Sequence, residues 1–327
     1  MGPFELIRSV RLITDICLEV SPGENVLCIA DRDENMEVVT LIATECRARG
    51  AEAAAVLIEP RKAHYHEPPR VIARAMQEAD VVIVMVPGSL MHTKARKEAC
   101  AAGVKYASLG ATTREYLAQL DLTADDLLAV RSLTEKIAGR LTMASSARLM
   151  TRAGTDLHMS LIGRKGIALV PFGKKGAFCL VPDFAEAPCA PVEDSVEGVV
   201  VVDGTMVGET DLEGVVETPF TIDFKKGRIV GISGGKDARK LVRILDRLDD
   251  VARSFAELGV NSNHKIPKKL WGRRTDNAIA GHVHLGLGRN DHIGGQLKGD
   301  PHLDVSVTNA TLLLDDVPII KDGAILL

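Results

Sequence analysis

Between Glu24 and Met85 short apolar runs alternate with amphipathic stretches: NVLCIA, a helical pattern over about Met36 to Arg49, AAAVLI, a second helical stretch after Pro69, then DVVIVMV. Runs that are apolar at every position, with no polar alternation, suit strands covered on both faces. A strand followed by a helix and another strand joins the two in parallel, because a hairpin is too short to make that crossover. The unit repeats once more, with a helix near Thr93 to Ala102, the strand VKYASL and a helix from Thr112. The expected class is therefore α/β, with a doubly wound parallel sheet over residues 1–140.

Such sheets often carry nucleotides on a glycine-rich turn after the first strand. Here that turn reads ADRDENM, and Asp31, Asp33 and Glu34 would repel a pyrophosphate, so no dinucleotide cofactor is expected. Near residue 140 the pattern changes to short segments broken by glycine: GTDLHMSLIG, GAFCLV, EGVVVVDGTMVG and FTIDFKKGRIVGISGG. VDGT and KKGR have the chemistry of hairpin reversals. One long charged helix over about Lys236 to Glu257 is expected next, and then strands in GHVHLGLG, PHLDVSVTNATLLL and GAILL. Residues 141–327 are thus predicted as an α+β domain.

Charge and hydropathy narrow the partners. A formal net charge of −4 without a basic run gives no field for a phosphate backbone, so nucleic acid is not expected. The N-terminal MGPFELIRSVRLITDICLEV lacks the apolar core of an export signal, and no apolar run nears the roughly 20 residues that span a bilayer. A cytoplasmic protein with no membrane partner is the expectation. Six cysteines without paired spacing read as reduced core thiols, not as a zinc-thiolate site.

The chemistry gathers near the C-terminus. If PHLDVSVTN is a strand, His302, Asp304 and Ser306 share one face, and Leu303, Val305 and Val307 share the other. Imidazole and carboxylate on alternate residues can meet one ion; an exposed polar edge strand is the alternative. GHVHLGLGRN repeats the pattern with His282 and His284, and Gly286 and Gly288 leave room for another group to approach. Four of the nine histidines fall between positions 282 and 302.

These stretches, in this order, resemble the aminopeptidase T type metallopeptidases and their relatives, which include 2,5-dihydroxypyridine ring-cleaving dioxygenases. The likeness rests on FAELGVNSN at 255–263, TDNAIAGHVHLGLGRN, and the closing HLD. It extends to PPRVIARAMQEADVVIVMVPGSLMHTKARKEACAAGVKYASLG in the first domain and GTDLHMSLIGRK in the second. The resemblance implies Glu257, His284, His302 and Asp304 as metal ligands. It departs at Asn277, where the peptidases carry a second glutamate, and at Asp291, where they carry a tyrosine. A neutral amide offsets the repulsion between two neighbouring cations less well than a bridging carboxylate does.

Two chemistries follow. In the preferred one, a divalent ion (Zn, Co, Mn or Fe(II)) activates water to cleave an amide or peptide bond, with Glu257 as ligand or base. In the alternative, Fe(II) brings O₂ to a hydroxylated aromatic ring, and His92 or His158 accepts a ring proton. Each of these histidines also has a plain role open to it, His92 as the cap of the helix near Thr93 and His158 as an outward hairpin residue. A third possibility is a non-catalytic protein stabilised by a metal with no open coordination position. Arg289 could grip a substrate carboxylate or form a surface ion pair, while His64 and His66 precede two prolines and read as loop residues. The substrate is expected to be a small molecule or short peptide, and the family likeness implies a homodimer.

Overall fold

The computed structural model describes residues 3–60, 66–86, 90–91, 93–110, 112–209 and 211–327. The chain forms two compact units, one from Met1–Leu128 with Val170–Phe184, the other from Ala129–Leu169 with Ala185–Leu327.

In the first unit five parallel strands lie in the order Glu52–Leu57, Asn25–Ala30, Val81–Met85, Lys105–Ser108, Phe178–Leu180. Val26, Cys28, Val81 and Ile83 face Val38, Val39 and Ile42 of the helix Asp33–Ala48. Leu27, Ile29, Val82 and Val84 face Met76, Ala95 and Ala99 of the helices Arg70–Glu78 and Lys94–Ala101. Both faces are covered, which is why these strands are apolar at every position.

The acidic turn after the first strand becomes the start of a helix. Asp33 and Glu34 occupy its first turn, where the helix dipole favours negative charge, and buried Asp31 accepts from Asn35 Nδ2 at 2.9 Å. Thr93 caps the helix Lys94–Ala101 by accepting from Arg96 N; His92, expected from sequence at that cap, lies outside the described residues. The segment GAFCLV differs from expectation. It is not a hairpin strand of the second domain, because Phe178–Leu180 pairs in parallel with Lys105–Ser108 as the fifth strand of this sheet. A short apolar run does not reveal which sheet will accept it.

The second unit is a sandwich of two sheets. Eight strands run in the order Arg228–Ser233, Phe220–Lys225, Glu197–Val202, Asp156–Ser160, Ser146–Met150, Thr311–Leu314, Val317–Lys321, Ala324–Ile325. Six antiparallel strands run Gly214–Val215, Thr205–Val207, His302–Val307, Val283–Gly288, Phe255–Asn261, Glu186–Cys189. Leu149, Leu157, Val200 and Ile222 of the larger sheet share one core with Leu258, Leu285, Leu303 and Val305 of the smaller, joined by Leu241 and Ile244 of the helix Lys236–Leu245.

KKGR is a hairpin reversal, with Lys226 and Gly227 both at positive φ. VDGT is not: it carries the chain from the larger sheet at Val202 to the smaller at Thr205. The long helix expected to reach Glu257 ends at Leu245, and Glu257 lies on a strand. Three aspartates (Asp246, Asp249, Asp250) end the helical pattern, and Phe255–Asn261 is buried at every position, as a central strand requires.

Among the described residues no helix is long and apolar enough to cross a membrane. All six cysteines are unpaired and buried. Gly139 sits exposed in the helix Ala124–Met143, and a Cβ added there would meet nothing within 4 Å. Gly139→Ala is expected to stabilise the fold by about 0.5–1 kcal/mol through lost unfolded-state entropy, read as a rise in the urea midpoint.

Candidate metal centre

The six-stranded sheet has two unlike faces. Val260, Val283, Leu285, Leu303 and Val305 turn into the sandwich core. On the opposite face the register aligns Glu257 with Gly286 and Asp304 in one row, and Gly259 with His284 and Ser306 in the next. The glycines make the polar layer sterically feasible. A Cβ on Gly259 would lie 2.0 Å from His284 Cε1, so the imidazole lies directly over that residue. A Cβ on Gly286 would meet Glu257 Cβ at 2.7 Å and His302 Cε1 at 2.9 Å.

The four residues named as ligands from sequence therefore come together. Glu257 divides its carboxylate between the histidines, with Oε1 3.2 Å from His284 Nε2 and Oε2 3.2 Å from His302 Nε2. Asp304 Oδ1, fully buried, lies 3.2 Å from His302 Nε2 and is left without a partner unless that nitrogen carries a proton or a cation lies between them. Glu186, at the sheet edge, adds Oε2 at 3.3 Å from His284 Nε2. All of these side chains are buried.

Hydrogen bonds fix the tautomers. His302 Nδ1 is 2.9 Å from the Arg289 carbonyl, which only accepts, so Nδ1 donates. Asn261 Nδ2 donates to the Asp276 carbonyl at 3.2 Å, which turns its Oδ1 toward His284 Nδ1 at 2.7 Å, so that nitrogen donates too. Both Nε2 atoms are left facing carboxylate oxygens. A neutral Nε2 would set its lone pair against negative charge, so a proton or a cation must lie between them. Histidines anchored through Nδ1, with carboxylates at Nε2 and an unpartnered Asp304 Oδ1, form a donor set that fits a divalent ion.

In metal-free protein the protons do that work. Burial opposes charge on His284 and His302, but Glu186 and Glu257 around the first and Asp304 and Glu257 around the second outweigh it, raising them to about 9 and about 10. Burial also opposes charge on Glu257, yet its two histidines hold it well below the usual carboxylate range. Glu186 is raised to about 8, first by burial.

The histidines bind protons more tightly folded than unfolded. Their contribution to metal-free stability is thus complete below about pH 6.5, the unfolded value, and is lost as pH rises through 9 to 10. The melting temperature of metal-free protein is expected to fall across that window, and metal affinity to rise as bound protons are more easily displaced. Thermal scans with and without metal would check the first, and calorimetry in buffers of different ionisation enthalpy the second. A pH-independent affinity would count against these histidines as ligands.

The other sequence candidates fare differently. His158 lies on the eight-stranded sheet, its side chain 56% exposed and paired with Asp156, while its neighbours Leu157 and Met159 enter the core that separates it from the face carrying Glu257, His284 and Asp304. His92 and His64 lie outside the described residues. Arg289 is engaged by Asp291 in a two-pronged pair at 2.8 and 2.9 Å. Asp276 is an anchor, accepting from Thr205 Oγ1 at 2.6 Å and from the Trp271 and Gly272 amides. Asn277 is buried beside Asp304.

Sequence reasoning missed Glu186, whose surroundings FAEAPC carry no ligand spacing, and which reaches the site only through the pairing of Asn261 with Glu186. It also missed His292, whose ring stacks edge-on against His302 with centroids 4.8 Å apart. The density of histidines after Gly281 was the available signal. Glu257, His292 and His302 form one possible metal-binding group and Glu186, Glu257 and His284 another, joined at Glu257.

Over residues 6–327 the chain matches the protein family described as 2,5-dihydroxypyridine 5,6-dioxygenase (NicX). Among solved structures it is similar to 2,5-dihydroxypyridine dioxygenase from Pseudomonas putida KT2440, with a TM-score of 0.80 and 17% identity over 100% of this chain and 98% of that one. At that identity the structural likeness speaks to the fold. A comparison with curated proteins finds no match.

Proposed function

The chain belongs to the 2,5-dihydroxypyridine 5,6-dioxygenase family, and on that premise we propose that it is a metal-dependent enzyme that opens a hydroxylated nitrogen heteroaromatic ring with O₂. The hydrolase preferred from sequence gives way to the ring-cleaving alternative, because the family match covers nearly the whole chain. The observation that carries the proposal is His302 Nε2 held 3.2 Å from both Glu257 and Asp304 on a buried polar layer.

His302, Asp304 and Glu257, with His284 on the far side of Glu257, would hold the ion. Ferrous iron, which suits mixed imidazole and carboxylate donors, would supply a common binding point for O₂ and the ring hydroxyl. The protein's own groups do the rest. The Arg289 carbonyl and Asn261 Oδ1 keep both Nε2 atoms available, and Asn277 Nδ2, 2.8 Å from Asp304 Oδ2, fixes that carboxylate's orientation. The apolar backing of Leu285, Leu303 and Val305 makes the donor layer rigid. His292, beside His302, and His92, retained on sequence grounds, are the candidates to take a ring proton.

A second reading, a two-ion hydrolytic centre, is favoured by Glu186. It gives His284 a carboxylate of its own and leaves Glu257 between the two histidines, as a bridging ligand would be. Protein purified without oxygen decides between them by metal counting and oxygen uptake. About one iron per chain, with O₂ consumed only when a dihydroxypyridine is added, supports the proposal. Two zinc, cobalt or manganese ions per chain and peptide cleavage without O₂ uptake would replace it with the hydrolase. The symmetric dimer implied by family likeness is checked by light scattering on the same preparation.

A further inference from the structure

Among the described residues three buried side-chain atoms lack a hydrogen-bond partner: Asp304 Oδ1, Asn277 Oδ1 and His282 Nδ1. The first faces His302 and is accounted for by a cation. The second is not. Asn277 Nδ2 donates to Asp304 Oδ2 at 2.8 Å, and a carboxylate only accepts, so the amide cannot be turned the other way. Its Oδ1 is thereby fixed as an acceptor without a donor, a costly arrangement that a bound donor would relieve. Arg274 Nη1 lies 3.5 Å from the same Asp304 oxygen, and its side chain keeps 18% exposure. An acceptor and a fork of N–H donors are thus tied to one carboxylate oxygen, beside the atom expected to face the ion.

A 2-hydroxypyridine ring in its lactam tautomer presents a ring N–H next to a carbonyl oxygen, the complement of that pair. We infer that Asn277 Oδ1 accepts the ring N–H of a 2-pyridone-type ligand while Arg274 donates to the adjacent carbonyl, so that these residues select the nitrogen heterocycle over its all-carbon counterpart. The inference rests on the ring-opening reading. It assigns Asn277 a use that a metal-holding role alone does not supply: Nδ2 orients Asp304, and Oδ1 reads the substrate.

The test is calorimetric binding to the iron-loaded protein without oxygen, where no turnover occurs, using 2,5-dihydroxypyridine, its N-methyl pyridone and hydroquinone. Iron content is measured in every sample. Wild type is expected to bind the N–H compound at least about thirtyfold more tightly than either analogue, because each analogue leaves the buried acceptor unpaired. In Asn277→Ala, and separately in Arg274→Gln, that preference should shrink to a few-fold with iron content retained. Equal binding of the N–H compound and hydroquinone by wild type overturns the inference while the ring-opening reading stands, and so does a preference that survives in Asn277→Ala. Should wild type bind none of the three, the ring-opening reading fails and takes the inference with it. If Asn277→Ala loses its iron, the wild-type comparison and Arg274→Gln still decide.

Discussion

His302→Ala is expected to reduce bound metal from about one ion per chain to a trace, an affinity loss of at least about a hundredfold, and to abolish oxygen uptake. The size of the effect follows from the position of Nε2. It lies 3.2 Å from both Glu257 and Asp304, so its removal takes from two buried carboxylates the partner they share. Metal-free stability should fall as well, by about 3–5 kcal/mol, since breaking a buried charged contact strands its partners. Elemental mass spectrometry on anaerobically purified protein reads the first effect, and urea unfolding of the metal-free form reads the second. Full metal occupancy in the variant would remove His302 from the site.

Gly259→Ala should be nearly as damaging, although it adds one methyl group and no charge. That methyl would lie 2.0 Å from Cε1 and 2.1 Å from Nε2 of His284, in the middle of a strand buried on both faces. The backbone cannot yield without disturbing Leu258 and Val260 in the core, so the imidazole must leave its place. Overpacking of this kind costs about 1–3 kcal/mol. The displaced ring would also lose Asn261 and Glu257, lowering metal affinity. A double variant separates the causes: in Gly259→Ala with His284→Ala the collision is gone, and stability should recover relative to the single change while metal affinity stays low. A Gly259→Ala protein with ordinary stability and metal content would show that His284 does not occupy that position.

Both variants probe contacts whose ingredients were legible to different degrees. Period-two alternation placed His302, Asp304 and Ser306 on one face, and that holds because a core-facing strand allows no other phase once Leu303, Val305 and Val307 are buried. The same logic succeeded for Val283, Leu285 and Leu287. It failed at Glu257, where the helix expected from Lys236 was extended past the three aspartates that end it, and at Phe178–Leu180, where a short apolar run could belong to either unit. His158 alternates as cleanly as His302, yet lies on the other sheet.

The sequence by itself determined the class of the first unit, the faces of the C-terminal strands and the residue types able to bind a metal, because these follow from local periodicity and side-chain chemistry. Only the tertiary structure decided which strands are neighbours. The register that sets Glu257 opposite Gly286 and Gly286 opposite Asp304, and the pairing that delivers Glu186 beside His284, result from packing one apolar face against another sheet across a shared core. Periodicity reports the direction in which a side chain points; its neighbour across the sheet is selected by the burial free energy of the whole sandwich.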